Sequence, residues 1–233
     1  MKVFISQPTY LPWCGYLASV DSCDIFVVYD DVQFSHQSWQ HRNKIKIQDD
    51  WMWLTVPIVR KEGQLINEVM INNSTHWKRD HWRSISQNYS QAPYFSKSHS
   101  AFFDIYAYEW EKLVDLNVSL ISHLASELGI KMPKIIRSSE METEGHKTDR
   151  LIPILKKLKA DTYISGVAAK DYLDIKKFND EGIDVKWFEY NHPIYPQKGE
   201  FIPYLSAIDL LFNTGNRAID YIREGVNLVE AKV

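Results

Sequence analysis

The side chains best suited to chemistry gather just past two short apolar runs. After Lys2-Val3-Phe4-Ile5-Ser6 comes Gln7-Pro8-Thr9-Tyr10-Leu11-Pro12-Trp13-Cys14-Gly15-Tyr16. After Ile25-Phe26-Val27-Val28-Tyr29 comes Asp30-Asp31-Val32-Gln33-Phe34. The first peptide offers amide, phenol and indole groups. Its prolines restrict the backbone, and Gly15 can come close to a ligand or open a helix without a Cβ in the way. A rigid loop running into a helix N-terminus is suited to an anion, although Pro, Trp and Gly could equally form a packed turn. In the second peptide Asp30 and Asp31 are candidate acids, bases or charge partners, or else caps of a loop. Next comes a polar loop, Ser35 to Asn43, that holds His36, Trp39 and His41 and leads to Arg42 and Asn43. A planar cation, an amide and aromatic faces together suit a nucleotide or a sugar. His36, His41 and His192 are the imidazoles able to take an amine proton near neutral pH.

Further along, Ser165-Gly166 ends an apolar run and leads to Lys170, in the kind of turn where backbone N–H groups can face a ligand. Lys147-Thr148 stands where a helix should begin, so it either binds an anion or caps the helix. In His192-Pro193-Ile194-Tyr195-Pro196-Gln197 the two-residue spacing lets Tyr195 and Gln197 face one side, framing an acceptor sugar or only routing the chain. Cys14 is a conceivable nucleophile near a helix start, but spacing supplies it with no partner. Cys23 reads as packing.

The elements that must hold these groups alternate. Strands are expected at Lys2–Ser6, Ile25–Tyr29, Asp161–Ser165 and Ile183–Tyr190, with helices at Gly15–Ser22, Lys147–Leu158 and Tyr172–Glu181. Extended segments are expected at Trp51–Val59 and Gln64–Ile71. From Ser74, read as an N-cap, to Gly129 the pattern turns helical, with one long helix over Ala101–Leu128. Two terminal helices are expected from about Pro203 and Gly215. Helices between strands imply parallel crossovers. The fold class is therefore α/β: a Rossmann-like parallel sheet with flanking helices and a helical insertion at about 74–129, in a single domain over 1–233. In such sheets ligands bind outside the carboxyl ends of the strands, which is where Gln7, Asp30 and Ser165 fall.

With 233 residues, 45% of them hydrophobic, the chain can bury a sizeable core. A net charge of −3 argues against a duplex-DNA or polybasic membrane binder. The first residues turn polar too early for a signal peptide, and no apolar run approaches the roughly 18 residues of a membrane span, so a cytoplasmic protein is expected. Two cysteines without metal-ligand spacing suggest free thiols, and no metal set is apparent.

Taken together, Gln7-Pro8-x-Tyr10-x-Pro12-Trp13-x-Gly15-Tyr16, Asp30-Asp31-Val32-Gln33-Phe34 and Arg42-Asn43-x-Ile45 resemble the WbqC-like protein family of bacterial O-antigen and other polysaccharide clusters. The likeness continues through Trp53-Leu54-Thr55-Val56-Pro57, His146-Lys147-Thr148, Tyr163-x-Ser165-Gly166, Tyr172-Leu173 and His192-Pro193-x-Tyr195-x-Gln197. It ends with Phe201-x-Pro203-x-Leu205-Ser206 and Asp209-x-Leu211-Phe212-Asn213-x-Gly215. This resemblance implies placement of glycine or a similar acyl group on a nucleotide-linked amino sugar in surface-polysaccharide (lipopolysaccharide) synthesis.

A more distant likeness is to pantothenate synthetase and the wider nucleotidyltransferase group, in the opening strand–loop–helix and in Ser165-Gly166-Val167-Ala168-Ala169-Lys170-Asp171-Tyr172. Those enzymes form acyl-adenylates, which implies ATP and Mg2+ as cofactors. On that likeness Gly15 and the helix after it receive phosphates, Lys170 and Arg42 neutralise pyrophosphate charge, and Asp30 or Asp31 holds magnesium through water. The group's two loop histidines are replaced here by Trp13-Cys14-Gly15-Tyr16. A noncatalytic sugar-nucleotide-binding or scaffold protein is the alternative, and a glycine-loaded tRNA is a third possible donor route, disfavoured by the lack of a basic face.

Overall fold

The structure, a computed structural model, describes residues 1–232. Its centre follows from the near-continuous apolar runs, which suit strands buried on both faces. β1 (Lys2–Ser6) sends Phe4 to one side and Val3 and Ile5 to the other, while β2 (Ile25–Val28) sends Phe26 and Val28 one way and Ile25 and Val27 the other. α1 (Cys14–Asp21) makes the crossover between them, and the two strands pair in parallel.

Three more parallel strands follow: β5 (Lys134–Arg137), β6 (Thr162–Gly166) and β7 (Asp184–Tyr190). β8 (Val226–Glu230) closes the edge antiparallel to β7, giving the order β5-β2-β1-β6-β7-β8. The chain works outward from β1 on one side and then returns to β6 on the other. The order therefore reverses between β1 and β6, and the carboxyl ends of the parallel strands share one edge. A separate antiparallel hairpin pairs β3 (Arg42–Lys46) with β4 (Trp51–Thr55).

The larger core, on one face of the main sheet, packs α1 with α2 (Trp77–Tyr89), α3 (Phe95–Ala107), α4 (Leu113–Glu127), α7 (Ala207–Thr214) and α8 (Ala218–Glu224). On the other face, α5 (Thr148–Lys157) and α6 (Ile175–Asp180) contribute Leu151, Ile154, Leu155 and Phe178 to a smaller core. No helix of the described residues is long and apolar enough to cross a membrane.

The α/β architecture agrees with the reading from sequence, and several local expectations are corrected. Gln64–Ile71 is not a strand: it carries a 3-10 turn at Ile66–Glu68 and joins other segments only through isolated bridges. The long helix over Ala101–Leu128 breaks between Ala107 and Leu113, because Glu111 and Leu113 bond instead to Ile71 and Val69. Ser74 does not cap α2. Both its N–H and its hydroxyl donate to Asn72 Oδ1 (3.1 and 2.7 Å), and His76 precedes the helix. Tyr172–Glu181 is reduced to α6 behind a 3-10 turn at Val167–Asp171. Arg42 and Asn43, placed at the end of a loop, begin β3.

Candidate functional site

Many of the residues singled out at the strand ends turn out to build the fold. Tyr10 is fully buried, and its hydroxyl lies between His81 Nδ1 (2.8 Å) and the Tyr106 hydroxyl (2.6 Å); burial raises the Tyr10 pKa and lowers that of His81 to about 4. Tyr16, also buried, donates to the Gln7 carbonyl (3.1 Å). Asn43 donates to the carbonyls of Tyr10 (3.2 Å) and Leu11 (2.6 Å), fixing the proline-bracketed loop from beneath. Gly15 does not open its backbone to an anion. A Cβ there would fall 2.3 Å from the Trp13 indole, and the start of α1 is covered where Trp13 bridges to Ser206 and Ala207 N–H donates to the Pro12 carbonyl (2.8 Å).

The acid pair is likewise committed. Asp30, fully buried, accepts from Ser139 N–H (3.1 Å) and from the hydroxyls of Ser139 (3.0 Å) and Ser138 (3.3 Å), which ties β2 to the turn after β5. Asp31 pairs with Arg150 and accepts from Ser138. With those oxygens occupied, the pair does not fit a magnesium ion, and the Gly15 environment does not fit nucleotide phosphates.

The imidazoles divide in the same manner. His192 donates from Nδ1 to the Pro193 carbonyl (2.9 Å) and accepts at Nε2 from Tyr204 N–H (3.1 Å), a neutral ring with both nitrogens used; burial lowers its pKa. It stacks on Trp13 at 6.2 Å. His41 is buried, donates to the Val56 carbonyl (3.2 Å) and is held neutral by desolvation, while its Nε2 has no partner among the described residues. His36 is exposed, edge-on to Phe34.

Lys170 pairs with Glu189 (3.2 Å) on β7, whereas Arg42 donates to the Gln37 carbonyl (2.6 Å) and lies over Trp53; the two share no partner among the described residues. Thr148 accepts from Asp174 N–H (3.0 Å), Ser165 is buried, and Lys147 is exposed. Gln7 and Gln33 are exposed, Gln7 accepting from Gln40 (2.7 Å), and Gly166 has open space where a Cβ would stand. Cys14 is fully buried, and desolvation, with Asp209 nearby, pushes its thiol up to about 12. That is the opposite of an activated nucleophile.

The concave site lies beside this scaffold. A cavity of about 590 Å3 opens between the end of β3, the C-terminus of α2, the loop after β7 and one side of α7; Lys46, Gln87, Asn88, Tyr89, Gln91, Gln197, Asp209 and Asn213 are in its lining. Asp209 is fully buried at the floor. It accepts from the Tyr89 hydroxyl (2.9 Å), which in turn accepts from Lys46 N–H (2.9 Å). Asn213, one helical turn on, donates to the Asp209 carbonyl (2.8 Å) and faces the same cavity.

Desolvation raises the Asp209 pKa to about 6, against the opposing influence of Tyr89, Tyr195, Lys46 and Gln197. Tyr195 is buried close enough to Asp209 to be felt by it, yet its hydroxyl has no well-formed partner among the described residues. Gln197 closes its amide on Ile202, accepting at 2.8 Å and donating at 3.0 Å, and so shapes the wall. Of the expected pair, Gln197 is in the cavity lining, while Tyr195 is buried behind it.

A buried carboxylate of raised pKa in the lining of a cavity makes Asp209 the candidate functional group of this site. Sequence reasoning gave Asp209 no role. The available signal was one acid in the apolar run Leu205–Phe212, with Asn213 four residues later.

The family model for the WbqC-like protein family matches residues 7–221, a span that takes in the strand-end loops and the Asp209 helix alike. The chain belongs to the WbqC-like protein family. A curated relative, "Uncharacterized protein Rv1507c" of Mycobacterium tuberculosis, is 37% identical over 227 residues, covering 95% of this chain and 97% of its own. No solved structure matches.

Proposed function

We propose that this WbqC-like chain transfers an acyl or aminoacyl group, glycine in its simplest form, to the amine of a nucleotide-linked amino sugar in bacterial surface-polysaccharide synthesis. The observation that carries this reading is Asp209, a carboxylate with a pKa of about 6 on the floor of a cavity whose walls are rich in amides. An amine arriving as an ammonium must lose a proton before it can attack, and a carboxylate poised near working pH is suited to take it. The amine nitrogen then forms its bond to the acyl carbon, the bond from that carbon to the donor's oxygen or sulfur breaks, and the donor leaves with the electron pair. Lys46 and Lys198 are the cations in the cavity lining, and of the two Lys198 is the exposed one while the Lys46 ammonium donates to the Glu200 carbonyl; they are the charges that would meet the developing oxyanion. Gln87, Asn88, Gln91 and Asn213 offer both donors and acceptors, which suits hydroxyls and acylamino groups. The volume lies within the range of small-molecule sites, roughly 300–1,000 Å3.

Because Gly15, Asp30 and Asp31 are committed to the fold, we favour a donor activated beforehand over adenylate formation within this chain. A binding role without catalysis would use the same walls but gives no reason for a desolvated acid.

The test incubates the protein with a nucleotide-linked amino sugar and three donors in parallel: a glycyl thioester, glycyl-tRNA, and glycine with ATP and Mg2+. Mass spectrometry reads the amide. We expect product with a preactivated donor and a loss of roughly 100-fold or more in kcat for Asp209→Asn, in line with removal of a general base. Binding of the sugar nucleotide with no amide from any donor would instead establish the binding role. Full turnover by the variant would remove Asp209 from the chemistry.

A further inference from the structure

The hairpin of β3 and β4 carries a feature that the proposed acyl transfer leaves unused. Its register sets Arg42 opposite Thr55, Lys44 opposite Trp53 and Lys46 opposite Trp51. The alternate residues Asn43, Ile45 and Leu54 are buried on the inner side, so one face holds three cations and two tryptophans. The Lys44 ammonium lies 3.9 Å from the Trp51 ring centre and 5.3 Å from that of Trp53, and the Arg42 guanidinium carbon is 4.3 Å from Trp53. Trp39 joins the group, 5.4 Å from Trp53. Trp39 and Trp51 are 46% and 36% exposed, Lys44 covering one face of Trp51 and leaving the other for a ligand.

None of Arg42, Lys44 and Lys46 has a carboxylate within ion-pair distance among the described residues. Arg42 Nε is buried with no partner among them either. Lys46 is buried, donates to the Glu200 carbonyl and is felt by Asp209, which leaves Arg42 and Lys44 as the two cations of this face without a nearby acid, in a chain of net charge −3.

We infer that this face is the seat of a nucleoside diphosphate, the base stacking on the Trp39–Trp53–Trp51 group and the phosphates lying along Arg42 and Lys44. The inference rests on the reading of the Asp209 cavity as the place of an amino sugar, and continuity supports it. Lys46, on the same face, is in the lining of that cavity, and Arg42 to Lys46 covers about 13 Å of extended strand. A sugar joined to the diphosphate would thus reach the cavity from the hairpin.

The chemistry selects this occupant over others. Aromatic faces alone would suit a neutral glycan, but unpaired cations call for an anion. A nucleic-acid strand calls for a longer basic track than one five-residue strand provides. Stacking plus two or three negative charges is what a nucleoside diphosphate brings.

The test titrates the full chain with ADP, GDP and UDP, carrying no sugar, by tryptophan fluorescence and calorimetry at 50 and 200 mM salt. Quenching with a Kd below 1 mM, weakened by salt, is expected. Trp51→Ala and Lys44→Gln should each raise Kd about tenfold, with circular dichroism confirming the fold. Asp209→Asn should leave nucleotide binding unchanged. The inference is overturned by absence of binding at millimolar nucleotide, by equal affinity in both hairpin variants, by equal quenching from a neutral oligosaccharide, or by much tighter binding of a single-stranded oligonucleotide. Nucleotide binding on the hairpin with no acyl transfer would refute only the proposed function. Acyl transfer without dependence on Trp51 or Lys44 would refute only the hairpin seat.

Discussion

If Asp209 is held in the cavity at the expense of its hydration, replacing it with asparagine should stabilise the protein in a pH-dependent manner. Its pKa stands at about 6 in the folded state against an ordinary 3.8, a difference worth about 3 kcal/mol. A carboxyl whose pKa is raised by folding binds its proton more tightly in the native state. Its neutral form is therefore fully accommodated below pH 3.8, and stability is lost as pH rises through about 6. Above that range both states are ionised and the buried charge weighs against the fold by the whole amount. The amide introduced by Asp209→Asn would carry no charge. Its Oδ1 can still accept from the Tyr89 hydroxyl, and its N–H can donate to the Tyr195 hydroxyl, which lacks a partner among the described residues. Thermal unfolding of both proteins from pH 4 to pH 8 should give near-coincident Tm values at the acid end. The variant should rise above the parent as pH increases, by up to about 6–12 °C for a chain of this size. Turnover should move the other way, since a group kept for chemistry is retained against stability. Parallel curves across the whole range, or a gap already open at pH 4, would refute desolvation of Asp209 as the cause of its raised pKa.

Two further outcomes follow from the packing around α1. Gly15→Ala sets a methyl group 2.3 Å from the Trp13 indole, so a destabilisation of about 2 kcal/mol or more is expected, with a shift in tryptophan emission as the ring moves. A wild-type melting curve and spectrum would show that Gly15 was free for another purpose. Cys14, buried with its thiol pushed up to about 12, and Cys23, pushed equally high by burial, should resist an aromatic disulfide reagent at pH 8 until the protein is unfolded. Rapid labelling of native Cys14 would restore it as a nucleophile.

The order of strand, loop, helix and strand from Lys2 to Val28 was legible because two apolar runs flank a short helix that is apolar nearly all round, a pattern only a doubly covered sheet accommodates. β3 was hidden in Arg42-Asn43-Lys44-Ile45-Lys46, where cations alternate with Asn and Ile and no run of apolar residues marks a strand. β8, Val226-Asn227-Leu228-Val229-Glu230, sets two apolar residues side by side and follows the helical residues after a single glycine, so no clear change of period marked it. For the site, the sequence marked the strand-end loops, but it could not tell a phenol that meets a ligand from one that bonds to Tyr106 and His81.

The sequence by itself thus determined the class of sheet, the direction of its crossovers and the family, since local periodicity and residue order carry that information along the chain. Tertiary structure alone decided which polar groups were spent on the fold and which were left to a ligand. Asp30 and Asp209 are both fully buried acids. One is surrounded by serine donors from a turn 108 residues away, and the other faces a cavity formed by four separate segments. Burial and hydrogen-bond satisfaction depend on partners distant in sequence, and it is those partners that set the charge, pKa and availability of each group.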